Sequence, residues 1–288
     1  MIKKKRNTIL VLGGTGFIGY HLLKKTLKLG WVSFSASRKK PIKNRYLKKV
    51  KYIKLDFKKL ENLKVRDYDF IVNLSNIHYS KAFTLINFFK KIKIQKYLEV
   101  GSSAEYGNIN KVLDENTKCK PISLYGKNKL KITNNALKTF KKYSFPVIVV
   151  RLFQVYGLFD NKNKIIPFVI NNCLKNKRFN LTEGFQTRDF CHINDVVNAV
   201  IKLLTSKNKK VTGKIFNIGF GRSISIKRLV EKIKRKIGKG LPVFGKKKIS
   251  NQEIIHSKSS IKKIKQYIKW SPKINLDDGI NSLIKYER

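Results

Sequence analysis

The chain has 288 residues, 42% of them hydrophobic, and sets 65 Lys and Arg against 17 Asp and Glu for a net charge of +48. That length holds one large α/β domain or two smaller units with a real core. No apolar run approaches the roughly 18 residues of a membrane-spanning helix, and Cys119, Cys173 and Cys191 are an odd, widely spaced set with no paired-ligand pattern. The expectation is a reduced, cytoplasmic protein with no membrane span and no metal site.

Such a charge attracts polyanions. It is spread from end to end, however, not gathered in a tail or one basic helix. Only 11 of the 65 basic residues are arginine, and Asn and Ile are abundant, the composition an AT-rich genome imposes. No aromatic–basic interleaving marks a single-strand platform. No specific nucleic-acid partner is therefore expected, and a catalytically idle fold holding RNA or DNA is the rival to an enzyme.

The N-terminus, "MIKKKRNTILVLGG", sets a basic cluster before an apolar run of about five residues, too short for a secretory signal. That run reads as a first strand ending at Gly13. "FIGYHLLKKTLKLG" (17–30) has helical spacing and stops at Gly30. "WVSFSAS" (31–37) and "VKYIKLD" (50–56) alternate as strands do, and "DFIVNL" (69–74) has a buried-strand pattern. "AFTLINFFKKIK" (82–93) is helical, "KYLEVGSS" (96–103) is a strand, residues 123–143 form a long helix, and "PVIVVRLF" (146–153) is a strand. Strand–helix alternation at this pitch implies right-handed crossovers and a parallel sheet. Beyond residue 155 the regularity weakens. "KIIPFVINNCLKN", "INDVVNAVIKLLTS" and "SIKRLVEKIKRKIG" read as helices, "KIFNIG" as a strand, "GKGLPVFGKKK" as a loop with a short strand, and two helices flank "WSPKINLDDGI".

In "VLGGTGFIGYHLL", Gly13, Gly16 and Gly19 recur every third residue between a strand and a helix. The first glycine permits a tight turn, the second lets backbone approach a pyrophosphate, and the third packs helix on strand. The helix N-terminus then offers free N–H groups and a positive dipole end. The second strand ends in "SASRKK" with no acid to accept from a ribose 2′-hydroxyl. Ser37 and Arg38 suit a 2′-phosphate instead, so NADP(H) is favoured, with NAD(H) possible. Asp56 is either an adenine-side residue or a strand-end turn residue.

Tyr125 and Lys129 stand four apart, as do Tyr20 and Lys24. In so lysine-rich a chain about two such pairs arise by chance, so spacing alone says nothing. Tyr125–Lys129 opens a long helix shortly after the strand that ends at Ser103. Tyr20–Lys24 has no serine strand to meet.

The order "GGTGFIG", "VNLSN", "GSSAEYGN", "YGKNK", "RLFQVYG", "GFQTRDFCHINDVVNAV", "FNIGFGRSISIKRLV" and "IKWSPKINLDDGI" resembles the extended short-chain dehydrogenases, the NAD-dependent epimerase/dehydratase family of nucleotide-sugar enzymes, over nearly the whole length. The resemblance implies a Rossmann-type doubly wound parallel sheet with a smaller interleaved C-terminal α/β lobe. The dinucleotide domain would span 1–155, with segments near 189–220 returning to it, and the substrate lobe 156–188 and 221–288. It implies Ser103, Tyr125 and Lys129 as catalytic residues. It adds Thr15, Phe17, Ile18, Phe57, Leu74, Ser75 and Leu152 to the cofactor site, and Asn76, Ala104, Glu105, Gln154 and Arg188 to the substrate site with Ser103 and Tyr125. Arg188 resembles a diphosphate clamp, and Gln154 stands where many members have Asn. A homodimer is implied, paired through the helix bearing Tyr125.

A phenol with a pKa of roughly 10 is a poor acid–base group at neutral pH. A lysine one turn on, together with an oxidised nicotinamide, stabilises the phenolate. Ser103 would hydrogen-bond the reacting sugar oxygen. Ser103-Ala104-Glu105 lacks the Asp of the family's dehydratases, and Ala104 and "KIIPFVI" lack the Cys and His of its epimerase-reductases. "GSSAEYG" most resembles the simple 4-keto-6-deoxy-sugar reductases. A 4-epimerase is the alternative. "NIHYSKA" is shorter than usual for a loop that often lines the sugar pocket.

Overall fold

The structure, a computed structural model, describes residues 6–63 and 68–288; the basic cluster at 3–5 lies outside the described residues. In chain order the elements are β1 (Thr8–Leu12), α1 (Phe17–Lys28), β2 (Val32–Ser37), β3 (Lys51–Lys54), β4 (Phe70–Asn73), α2 (Tyr79–Phe89), β5 (Lys96–Ser102), α3 (Leu124–Tyr143) and β6 (Val147–Leu152). There follow β7 (Gln154–Tyr156), α4 (Ile165–Leu174), β8 (Arg178–Asn180), β9 (Thr187–Arg188), β10 (Phe190–His192), α5 (Ile193–Thr205), β11 (Ile215–Ile218), β12 (Ile224–Ser225), α6 (Ile226–Ile237), β13 (Leu241–Val243), α7 (Lys262–Ile268) and α8 (Leu276–Glu287).

Seven strands form one sheet in the order β11-β6-β5-β4-β1-β2-β3, and the pairs β1–β2, β1–β4, β2–β3 and β4–β5 are parallel. The chain builds outward from β1 in one direction, then returns to build outward from β4 in the other. Right-handed crossovers place the connecting helices on opposite faces. This is the doubly wound order expected from sequence, with its switch point between β1 and β4. Ile9 to Leu12, Ile71 and Val72, and Val147 to Val150 are fully buried, as apolar runs covered on both faces must be.

The chain divides into two compact units. The first holds the described residues up to Ser102, with Lys127–Arg151 and Val197–Phe216; the second holds Ser103–Gly126, Leu152–Val196 and Asn217–Arg288. Residues 103–126 thus group apart from the strand that precedes them. Long-range bonds are the reason: Leu113 N donates to Lys258 O at 2.8 Å, Ser260 N to Leu113 O at 2.8 Å, and Tyr106 Oη to Asn217 Oδ1 at 2.7 Å. The first core packs Leu10, Leu12, Ile71, Leu85, Phe89, Tyr97, Ile132 and Val149. The second joins α4, α6 and α8 through Ile166, Ile170, Leu229, Ile233, Ile280 and Leu283. On α6, Ile226, Leu229, Val230 and Ile233 are buried at helical spacing, Ser225 caps the N-terminus, and Gly238 takes φ 84° at its end.

Two boundaries differ from the spacing. The helix expected over 82–93 runs Tyr79–Phe89. The His78 ring accepts from Ser80 N at 3.4 Å and starts it early, and Ile92 N turns back to Phe89 O at 3.0 Å to end it. The ladders β7–β10, β9–β12 and β8–β13 are only two or three residues deep, too short for any periodicity to register.

Candidate active site

The turn between β1 and α1 is made of close backbone approaches. Gly13 takes φ +80°, and a Cβ there would lie 3.1 Å from the backbone of Leu74 and Ser75. A Cβ on Gly19 would strike the backbone of Gly13 and Gly14. Gly14, which the three-residue spacing passes over, is equally constrained: a Cβ would meet Ser35 Oγ and stand 2.9 Å from Leu23 Cδ1. Gly16 caps α1 with no side-chain hydrogen bond, so the helix's first amides keep their donors for a ligand. The loop fits a pyrophosphate, with Thr15, Gly16 and the half-buried Phe17 and Ile18 at its edge.

Ser37 is buried, and its Oγ accepts from Thr15 N at 3.3 Å, tying the end of β2 to the loop. Arg38, next along, is exposed. Asp56 Oδ1 accepts from Lys58 N at 2.9 Å, so Asp56 closes its own turn. Phe57 is half-buried, with Lys81 Nζ 5.2 Å from its ring centroid. At the end of β4, Leu74 N donates to Leu12 O at 2.9 Å, Ser75 is buried and Asn76 is exposed. Asn73, absent from the residues expected by sequence, organises this corner. Its Oδ1 accepts from Ser75 N at 3.1 Å and from Ser75 Oγ, and its Nδ2 donates to Glu99 at 2.9 Å and 3.2 Å. Tyr97 Oη donates to the same carboxylate at 3.2 Å.

Lys129 is buried within the first unit, and its Nζ donates to Val100 O at 2.8 Å. One turn earlier on α3, Tyr125 is 43% exposed. Ser103, Ala104 and Glu105 form a 3₁₀ turn after β5, with Ser103 and Ala104 half-buried and Glu105 fully buried. Gly126 brings α3 against this turn, because a Cβ on it would collide with Ala104 O. The competing pair resolves differently. Tyr20 is buried and Lys24 Nζ stands 5.8 Å from its ring, so that pair packs upon itself.

Leu152 ends β6 and is buried. Gln154 N donates to Asp189 O at 3.0 Å, which fastens β7 to the Arg188 segment. Asp189 is fully buried and accepts from Phe220 N (2.7 Å), Gly221 N (3.0 Å), Ser259 N (2.9 Å) and Ser259 Oγ (2.6 Å). Arg188 donates from Nη1 to Thr187 O at 2.8 Å and from Nη2 to Glu253 Oε1. Burial pulls the Arg188 pKa down, and Glu253 opposes that shift.

Residues 9–219 match the family described as "NAD dependent epimerase/dehydratase family". The chain belongs to this family. Among its epimerase/dehydratase relatives it is 26% identical to the dTDP-4-dehydro-6-deoxyglucose reductase of Escherichia coli, the match covering 98% of each chain. It is 28% identical to a putative UDP-glucose 4-epimerase of Methanocaldococcus jannaschii, over 96% of this chain and 97% of that one. The dTDP-glucose 4,6-dehydratase of Bacillus anthracis, solved in complex with NAD, superposes with a TM-score of 0.89 at 25% identity, over 97% and 96% of the two chains. A UDP-glucuronic acid 4-epimerase of Bacillus cereus, solved with UDP-glucuronic acid and NAD, shares the fold with a TM-score of 0.86 at 24% identity, over 98% and 100%. The resemblance read from the motifs is therefore the family itself. Its members include nucleotide-sugar epimerases, dehydratases and reductases.

Three residues beside the expected ones carry no sequence signal of their own. Glu253 is 65 residues from Arg188, in a segment that matches no motif. Asn73 and Glu99 become neighbours only through the β4–β5 register. Gly14 had a signal, the doubled glycine of "LGGTG".

Proposed function

We propose that this protein reduces the C4 keto group of a nucleoside-diphosphate-linked deoxysugar, using NADP(H). The observation that carries the reading is the close approach of Gly126 to Ala104, which packs the turn bearing Ser103 against the start of the helix bearing Tyr125. The bound dinucleotide would supply hydride to the carbonyl carbon. Tyr125 gives a proton to the carbonyl oxygen, and Ser103 hydrogen-bonds that oxygen and orients it. Lys129, fixed to Val100 O, stabilises the phenolate that Tyr125 leaves. Gly13, Gly14, Gly16 and Gly19 hold the pyrophosphate, and Arg188 holds the substrate diphosphate. Ala104 carries no carboxylate to remove water, which supports reduction over dehydration. Ser37 and Arg38 support NADP over NAD. A homodimer in the cytoplasm belongs to the same proposal.

A second reading is a 4-epimerase with tightly held NAD. It is favoured by the UDP-glucose epimerases among the relatives and by the NAD in structural neighbours. One experiment separates the two. The purified protein is given a panel of nucleotide sugars and their 4-keto derivatives while NADPH and NADH absorbance is followed. A reductase consumes one reduced cofactor per 4-keto sugar. An epimerase leaves absorbance flat and inverts C4 of the sugar, and that outcome would sink the reductase reading.

A further inference from the structure

Arg188 already holds a carboxylate. Its Nη2 donates to Glu253 Oε1, and the two side chains are 14% and 38% exposed, so water screens the pair only in part. Glu253 is delivered by a turn in which Glu253 N donates to Ser250 O at 2.9 Å and Gln252 N to Ser250 Oγ at 3.2 Å. That turn is anchored beside the arginine. Thr187 N donates to Ile255 O at 2.8 Å, Ile255 N donates to Asn108 Oδ1 at 3.1 Å, and His256 Nδ1 lies 3.4 Å from Thr187 Oγ1. On the other flank Asp189 binds Ser259. The backbone is thus tied down on both sides of the pair, and displacing the carboxylate from the guanidinium needs only a rotation of the Glu253 side chain.

A guanidinium takes a carboxylate and a phosphate in the same two-pronged manner. The two anions therefore compete for one donor set. On a chain of net charge +48, every small anion is drawn in, and an open arginine would fill with whichever is most abundant. We propose that Glu253 is a built-in competitor at the phosphate site: its carboxylate occupies Arg188 until a ligand with further contacts, a nucleoside diphosphate, displaces it. This rests on the reading of Arg188 as the diphosphate-binding arginine. Anions that bring only charge are held more weakly, having no further contacts to offset the exchange, and the glutamate's return speeds release of the product nucleotide.

The test is calorimetric titration of inorganic pyrophosphate and of UDP, dTDP, CDP and GDP into wild type, E253Q, E253A and R188Q, with uridine as an uncharged control. An exchange that no longer breaks a partly exposed ion pair gains about two- to fivefold in affinity. E253Q and E253A should bind the preferred nucleoside diphosphate and pyrophosphate tighter by that factor, with uridine unchanged, and R188Q should weaken both anions. If the glutamate variants bind no tighter, or bind more weakly, while R188Q still loses affinity, the competitor is refuted and Arg188 remains the diphosphate site. If R188Q binds like wild type, the reading of Arg188 fails and takes the competitor with it.

Discussion

Gly126 and Ala104 touch backbone to backbone. A Cβ on Gly126 would run into Ala104 O, and Pro121 Cβ stands 3.0 Å from the same point. A side chain at 126 must therefore push α3 away from the turn that carries Ser103. Gly126→Val should lower kcat by on the order of 100-fold, the cost of misplacing reacting groups by about 1 Å. Overpacking should also cost about 1–3 kcal/mol of stability. Dinucleotide binding, measured by fluorescence titration, should persist. A variant with wild-type turnover would show that this contact does not set the geometry.

Tyr125→Phe removes one oxygen from a 43%-exposed ring. Loss of a positioned acid costs roughly two orders of magnitude or more in kcat. Cofactor affinity should stay as it was, because the hydroxyl acts on the sugar oxygen. Steady-state kinetics on whichever substrate the panel identifies would check this, and undiminished turnover would remove Tyr125 from the chemistry.

Arg38 is exposed at the end of β2, beside Ser37. Arg38→Ala should raise the KM for NADPH about tenfold, the value of one charge-assisted phosphate contact, and leave that for NADH unchanged. Equal effects on both cofactors would mean that Arg38 does not read a 2′-phosphate.

His192 gives a pH-dependent stability. Burial pushes its imidazole down to about 4, and Nδ1 accepts from Asn194 N at 3.2 Å, so the fold holds the neutral ring. In the unfolded chain it takes up a proton near about 6.5. The unfolded state therefore binds more protons between the two values, and stability falls as pH drops from about 6.5 toward about 4. Between pH ~7 and ~5 the loss should be about 2 kcal/mol. Urea unfolding of His192→Asn should show that much less dependence on pH over the same interval. An identical pH profile would assign the acid sensitivity to other groups.

Local signals carried the strands, α1, α3 and the glycine loop, because side-chain periodicity and the φ > 0 demand of Gly13 are written within a few residues of each other. The order of Ser103, Tyr125 and Lys129 was legible for the same reason, once a parallel sheet told where their elements must lie. What tertiary structure decided are pairings across long stretches of chain. Register between β4 and β5 set Asn73 against Glu99, and the grouping of 103–126 with the second unit rests on bonds from Leu113 to residues 258 and 260. The placement of Glu253 on Arg188 joins residues 65 apart. No local preference encodes such contacts. They arise only when segments far apart in the chain are brought together, so a glutamate in an unremarkable segment becomes the partner of the arginine proposed to hold the substrate.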